Sequence, residues 1–272
     1  MIKAAILGSP VAHSLNPLLQ TIAFAELGIE SDYTRIEVKA GEFGAFLASC
    51  DDSWTGFSVT MPLKEEVLTH VKDVSSLALR IRGANTLVKN ADGFSATTTD
   101  VPGFTHALAA HGRDASGDVL IIGAGATARA AAAACDGVAT RITVMNRSTS
   151  RVEAISNVVE ISDLDFITWQ EPNIFESVDL IISTTPEGVS DSLIASIPSN
   201  PSALFFDVLY KPWPSAVLSA WEQSGGAVID GLDLLIHQGI DQVGILSGVG
   251  FDRMSMAALM RRHGVKALHS ST

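Results

Sequence analysis

Short runs of aliphatic and β-branched residues alternate along the chain with longer stretches whose apolar positions recur every three or four residues. The short runs predict strands at 3–7, 33–38, 56–60, 85–89, 118–122, 141–145, 179–183 and 203–209. The longer stretches predict helices near 17–27, 42–49, 63–70, 74–81, 103–111, 126–135, 149–156, 214–224, 232–246 and 252–264. This alternation implies an α/β fold with mostly parallel sheets. The runs "DVLII" and "DLIIS" are almost continuously aliphatic, as suits strands covered on both faces. Around residues 100–117 the pattern starts afresh with strand, glycine loop and helix, so two α/β lobes are expected, 1–101 and 102–237. The last helices, in 238–272, fit either lobe by pattern alone.

Composition agrees with a large buried core. Of 272 residues, 47% are hydrophobic and 18% charged, which excludes global disorder. A net charge of −12 argues against nucleic acid or an anionic membrane as partner. Two cysteines, Cys50 and Cys135, cannot form a disulfide framework or a four-ligand metal site, and no metal cluster is expected. The N-terminus enters a strand without the apolar core of a signal peptide, and no apolar run reaches membrane length. A cytoplasmic protein is the expectation.

The most legible motif is "DVLIIGAGATARAAAAA". A buried strand leads into Gly123, Ala124 and Gly125, then into Ala126, Thr127 and Ala128 at the start of a helix. Gly123 permits the tight turn and Gly125 lets backbone approach a pyrophosphate, while Ala128 replaces the third glycine. The helix N-terminus offers free N–H groups to phosphate. The context of strand before and helix after favours a dinucleotide over a plain turn. The next strand ends at Asn146 and Arg147, followed by Ser148, Thr149 and Arg151. Dinucleotide sites specific for NAD usually place an acid here; guanidinium and hydroxyl groups suit the 2′-phosphate of NADP.

A second constellation lies in the first lobe. In "GFSVTMPLKEEVL", Pro62 fits a first helical turn and Lys64 stands near the positive end of the helix dipole, which favours a lowered pKa and acid–base use. An ordinary surface lysine balanced by Glu65 and Glu66 is the equal alternative. Asn85 opens a strand, Asp92-Gly93 turns it, and the return ends at Asp100, which is either a helix N-cap or a partner for Lys64. In "AHSLNP", Asn16 reads as an N-cap and Pro17 as the first helical residue, with Ser14 in the turn before them.

Taken together, "GSPVAHS", "VTMPLKEEV", "GANT", "TTD", "GAGATA", "NRSTSR", "DVLYKPWPS" and "DGLDLLIHQG" resemble the shikimate dehydrogenase family, in that family's order and over nearly the whole chain, with a flavour close to actinobacterial members. The resemblance implies an N-terminal substrate-binding lobe, a Rossmann lobe for NADP, and C-terminal helices that pack back on the first lobe. It implies reversible reduction of 3-dehydroshikimate to shikimate, on the way to chorismate and aromatic amino acids, by a monomer or homodimer. Lys64 and Asp100 then look like the catalytic pair. Ser14, Asn16, Thr60, Asn85, Tyr210 and Gln238 look like further substrate contacts, suited to a polyol acid. Thr184, Thr185, Pro186, Val208 and Gly231 join the glycine loop and Asn146–Arg151 as cofactor contacts.

Two positions depart from the family pattern: Asn16 stands where the family usually has Ser, and Thr98 where it commonly has Asn. They leave the reaction type alone and make quinate, or an amino-substituted relative of shikimate, the alternative substrates. The first lobe is poor in Tyr and Trp outside Tyr33 and Trp54, which disfavours a folate dehydrogenase reading. A non-catalytic NADP sensor need not keep Lys64 together with Asp100.

Overall fold

The structure, a computed structural model, describes residues 1–147, 151–169 and 174–270. It divides into two compact units, Met1–Gly103 with Leu235–Thr272, and Phe104–Leu234. The helix spanning Asp100–Ala110 (α5) and the one spanning Gly231–Ser247 (α9) each run from one unit into the other.

The first unit holds a six-stranded mixed sheet. Its strands are β1 (Ile2–Gly8), β2 (Ser31–Glu37), β3 (Gly56–Val59), β4 (Asp73–Val74), β5 (Thr86–Asn90) and β6 (Gly93–Thr97), in the order β2-β1-β3-β5-β6-β4. Strands β1, β2 and β3 are parallel. The hairpin β5–β6, expected from the Asp92-Gly93 turn, places β5 antiparallel to β3, so the sheet is mixed. The helices are α1 (Asn16–Glu26), α2 (Phe43–Ser49), α3 (Val67–His70), α4 (Ser76–Arg80), the far part of α9, and α10 (Arg253–His269). Leu7, Phe43, Phe57, Leu63, Val67 and Leu87 are fully buried in one core around this sheet.

The second unit is a parallel sheet of β7 (Gly117–Ile122), β8 (Ala139–Met145), β9 (Asp163–Ile167), β10 (Leu180–Ser183), β11 (Leu204–Asp207) and β12 (Val228–Ile229). The order β9-β8-β7-β10-β11-β12 is the doubly wound dinucleotide-binding arrangement, with its switch point between β7 and β10. Helices α6 (Ala126–Cys135), α7 (Val152–Ser156) and α8 (Ala216–Gln223) accompany it. Phe205, Ile181, Leu120 and Trp221 anchor its core, with Trp221 edge-on to Phe175.

Several local expectations are corrected. The helix expected over 63–70 is a run of turns from Met61 to Glu66 followed by the single-turn α3. The reason is a competing donor: the N–H of Ala84 takes the Lys64 carbonyl at 2.8 Å, and the N–H of Leu68 goes to Glu65 instead. Pro62 follows a cis Met61–Pro62 bond and starts no helix, and Lys64 stands outside the helix dipole invoked for it. In α1 the N-cap is Leu15, so Asn16 is already helical and Pro17 comes second. The cap falls to Ser14, whose Oγ accepts the N–H of Asn16 at 3.2 Å. Strands β4, β9 and β12 were not expected from the pattern; all three are sheet edges.

Candidate functional site

In the first unit, parallel and antiparallel pairing bring four chain segments together at one end of the central strands. β1 and β3 end there, β5 begins there opposite Ser58, and β6 ends there opposite Thr86. The loop after β1 is tied to the loop after β3 by the N–H of Ser9 on the Met61 carbonyl at 3.0 Å. Ligands in sheets of this kind sit outside the carboxyl ends of the strands.

Lys64 and Asp100 meet here, with Nζ on Oδ2 at 2.5 Å. Asp100 opens α5, yet its side chain turns to Lys64 instead of capping the helix. Its other oxygen, Oδ1, accepts Asn85 Nδ2 at 2.9 Å. Asn85 Nδ2 also donates to Thr99 Oγ1 at 2.9 Å and to Gln238 Oε1 at 3.1 Å. Gln238 in turn donates from Nε2 to Leu235 O at 2.8 Å. Gly103 lets α5 pass Gln238, since a Cβ there would stand 2.9 Å from the Gln238 Cβ. Lys64, Asn85, Asp100 and Gln238 are thus one connected cluster, and all but Lys64 are buried.

Ser14 and Thr60 lie on the two tied loops. Ser14 is buried, and its carbonyl accepts both Arg35 Nε at 3.0 Å and Arg35 Nη2 at 2.6 Å. Thr60 donates its N–H to Leu7 O at 2.9 Å. Asn16 is 4% exposed and its Oδ1 has no partner among the described residues. Tyr210 belongs to the second unit, three residues past β11 and half-buried.

In the second unit, Gly123 follows β7 with φ +110°. A side chain there would meet Thr184 Oγ1 at 2.6 Å, and Thr184 itself donates to Ile122 O at 2.9 Å. The glycine loop is therefore packed against the loop after β10. Thr185 is buried with Oγ1 unpartnered among the described residues, and Pro186 is exposed. Gly125 caps α6 and no side chain caps that first turn. A Cβ on Gly125 would face open space except for Arg151 Nη1 at 3.7 Å. Ala124, Ala126, Thr127 and Ala128 line the turn into α6, with Ala128 fully buried. Asn146 ends the approach from β8, its Oδ1 accepting the N–H of Arg147 at 2.9 Å. Arg147 lies over Trp169 at 6.0 Å. Ser148 and Thr149 lie outside the described residues. Gly231 touches Val208, where a Cβ would stand 2.3 Å from the Val208 carbonyl oxygen.

These residues fit NADP. The α6 N–H groups and the open face of Gly125 suit a pyrophosphate, and Arg147 and Arg151 suit a 2′-phosphate. Among the described residues no group of three or more His, Cys, Asp and Glu is arranged to hold a metal, and no helix is long and apolar enough to cross a membrane.

Sequence reasoning missed a set of buried polar side chains beside the cluster: Gln20, Tyr33, Ser58, Thr86 and Gln242. The available signal was Gln242 one turn beyond Gln238 on an otherwise apolar helix face.

Comparison with known proteins gives a consistent result. Residues 6–87 match the family described as shikimate dehydrogenase substrate binding domain, and residues 105–197 match shikimate / quinate 5-dehydrogenase. A shikimate dehydrogenase (NADP(+)) of Thermosynechococcus vestitus is 31% identical over 247 residues, 86% of each chain. The Mycobacterium tuberculosis shikimate dehydrogenase structure is 31% identical with TM-score 0.84, covering 96% of this chain and 99% of that one. The shikimate 5-dehydrogenase of Thermus thermophilus, solved with NADP(H) and shikimate, is 28% identical with TM-score 0.85, covering 97% of this chain and 100% of that one.

Proposed function

The chain belongs to the shikimate dehydrogenase family, and on that premise we propose how its own residues carry the family's reaction. The activity is NADP-dependent, reversible reduction of 3-dehydroshikimate to shikimate. The first unit binds the polyol acid and the second binds NADP. NADPH, when bound, supplies the hydride.

Lys64 is the proton donor in the reductive direction. Its ammonium has three N–H groups; one is on Asp100 Oδ2, which leaves two to serve the substrate oxygen that becomes the hydroxyl. Asp100 fixes Nζ and balances its charge, and Asn85 Nδ2 fixes Asp100 from the other side. In the oxidative direction the same pair takes the hydroxyl proton. Gln238 and Thr60 order the substrate hydroxyls, and Ser14 and Asn16 take the carboxylate end near the start of α1. Tyr210 is a further substrate contact on the family resemblance. Arg147 and Arg151, with Ser148 and Thr149, hold the 2′-phosphate, and Gly123–Ala128 hold the pyrophosphate. Thr184, Thr185, Pro186, Val208 and Gly231 shape the nicotinamide end.

The observation that carries this reading is the Lys64–Asp100–Asn85–Gln238 cluster by the carboxyl ends of β1 and β3. NADPH oxidation with 3-dehydroshikimate tests it, and comparison of kcat/KM for shikimate and quinate decides the substrate. Lys64→Ala lowers kcat by about 10²- to 10⁴-fold while calorimetric titration still detects ligand binding. Full activity in that variant overturns the mechanism.

A further inference from the structure

Beside the cluster a second set of polar groups is buried in the same unit. Gln242 is 1% exposed and uses its whole carboxamide. Nε2 donates to Asn85 O and to Thr86 Oγ1, each at 3.1 Å. Oε1 accepts Ser58 Oγ at 2.7 Å and Gln20 Nε2 at 3.3 Å. Ser58 therefore spends its hydrogen on Gln242, so Tyr33, 2.5 Å away, donates its phenol hydrogen to Ser58. Tyr33 is buried, and burial pushes its phenol up from the ordinary value of 10.0, which keeps that hydrogen in place.

This arrangement has a direction. A backbone carbonyl only accepts, so the end of Gln242 that faces Asn85 O must be the N–H2 end. Thr86 Oγ1 then accepts from Gln242, and its own hydrogen is left for Asn85 Oδ1 at 2.8 Å. Thr99 N–H donates to the same Oδ1 at 2.8 Å. With Oδ1 held from two sides, Asn85 presents Nδ2 to Asp100 Oδ1.

We propose that Gln242 is a positioning residue for the reaction: by setting the Thr86 hydroxyl it locks the Asn85 carboxamide with its donors toward Asp100, which leaves Asp100 Oδ2 for Lys64. Gln242 touches neither Lys64 nor Asp100; it acts through Thr86 and Asn85. The claim rests on the assignment of Lys64 and Asp100 as the catalytic pair. Because Thr99 N–H holds the same end of Asn85, loss of Gln242 loosens that side chain without inverting it.

The test uses the full chain. Gln242→Met keeps the length of the side chain and removes all four hydrogen bonds. Thr86→Val breaks the next link while Gln242 keeps its bonds to Asn85 O, Ser58 Oγ and Gln20 Nε2, and Thr86→Ser keeps the hydroxyl. Gln242→Met and Thr86→Val each lower kcat about tenfold with KM held within about twofold, and Thr86→Ser regains most of what Thr86→Val loses. The double variant Gln242→Met with Thr86→Val is no slower than either single, because both cut one path. Additive losses, a change in KM alone, or Thr86→Ser as slow as Thr86→Val overturn the proposal. If Gln242→Met does not fold, the Thr86 pair decides. Side-chain amide NMR reads the same claim without turnover: the Asn85 carboxamide signals shift and exchange faster in Gln242→Met and Thr86→Val. Unchanged signals defeat the positioning claim, whereas absence of wild-type turnover with unlocked Asn85 in the variants defeats only the assigned activity.

Discussion

Burial at Asp207 sets a pH dependence that no surface carboxylate would show. The side chain is fully buried at the end of β11, and burial pushes its carboxyl up from 3.8. Hydrogen bonds from Ser215 Oγ at 2.5 Å and Leu209 N–H at 3.3 Å pull downward without cancelling that effect. The folded state thus binds this proton more tightly than the unfolded chain. Its contribution to stability is full below pH 3.8 and is lost as pH rises through the higher folded-state value. Asp207→Asn cannot ionise and keeps an acceptor for Leu209. Its Tm should gain on wild type as pH rises from about 4 to about 7; a constant difference across that range would contradict the assignment. Cys135, buried with its thiol pushed up to about 12, resists alkylation in the folded protein, and the half-buried Cys50 reacts first. Mass spectrometry after brief labelling near pH 8 distinguishes them. At this scale the sequence singled out Lys64 and Asp100 from their local motifs and Asn85 and Gln238 through the family resemblance, and the structure brings the four side chains together. Gln242, Ser58 and Tyr33 carry no motif: Ser58 and Gln242 meet across 184 residues, and only the fold gathers them.

The elements were legible where apolar periodicity was long and not where a tertiary bond outbid it. The strand, glycine turn and helix of β7 and α6 follow the sequence reading, with a positive φ at Gly123 as the turn requires. The segment after Thr60 has helical composition, but Ala84 N–H takes the Lys64 carbonyl and leaves only one turn of helix. Glu66 shows the same override. Its carboxylate accepts the N–H groups of Gly41 at 2.9 Å and Phe43 at 3.3 Å, at the start of α2. Strand β9 escaped notice because alternate positions, Asp163 and Asp165, are exposed on a sheet edge. One cap joins element to core. Ser215 accepts Leu218 N–H at 3.2 Å as N-cap of α8 and donates to buried Asp207. Ser215→Ala removes a cap worth about 1 kcal/mol and strips a buried carboxyl oxygen of a partner, at about 1–3 kcal/mol. Urea denaturation should show a loss of about 2–4 kcal/mol at unchanged m-value. A loss under about 0.5 kcal/mol, the scale of a neutral surface change, would show that the two bonds do not act together.

For the whole molecule, the sequence pattern conveyed two α/β lobes but not how the chain threads them. The first unit takes residues from both ends of the chain, and the return is made by α9, whose residues Gly231–Leu234 belong to one unit and Leu235–Ser247 to the other. Helix α5 divides in the same way at Gly103 and Phe104. A linker would let each unit melt by itself. A continuous helix does not, because a frayed half leaves the other half with orphaned backbone groups and too few turns to persist alone. His111 and Asp233 tie the end of α5 to the first turn of α9 at 2.8 Å within the second unit, and Asn85 and Gln238 join the elements around them within the first. Unfolding is therefore expected as one cooperative transition, although each unit has its own core. NADP+ binding to the second unit should then raise the single Tm as a whole. At a hundredfold excess over Kd the stabilisation is about 2.7 kcal/mol, or about 5–10 °C for a chain of this size. NAD+ at the same concentration should give a smaller shift, and Arg151→Ala should erase most of the difference. Differential scanning calorimetry checks both points. Two transitions, of which NADP+ moves only one, would show that α5 and α9 do not couple the units. An equal response to NAD+ and NADP+ would remove Arg151 from the cofactor site.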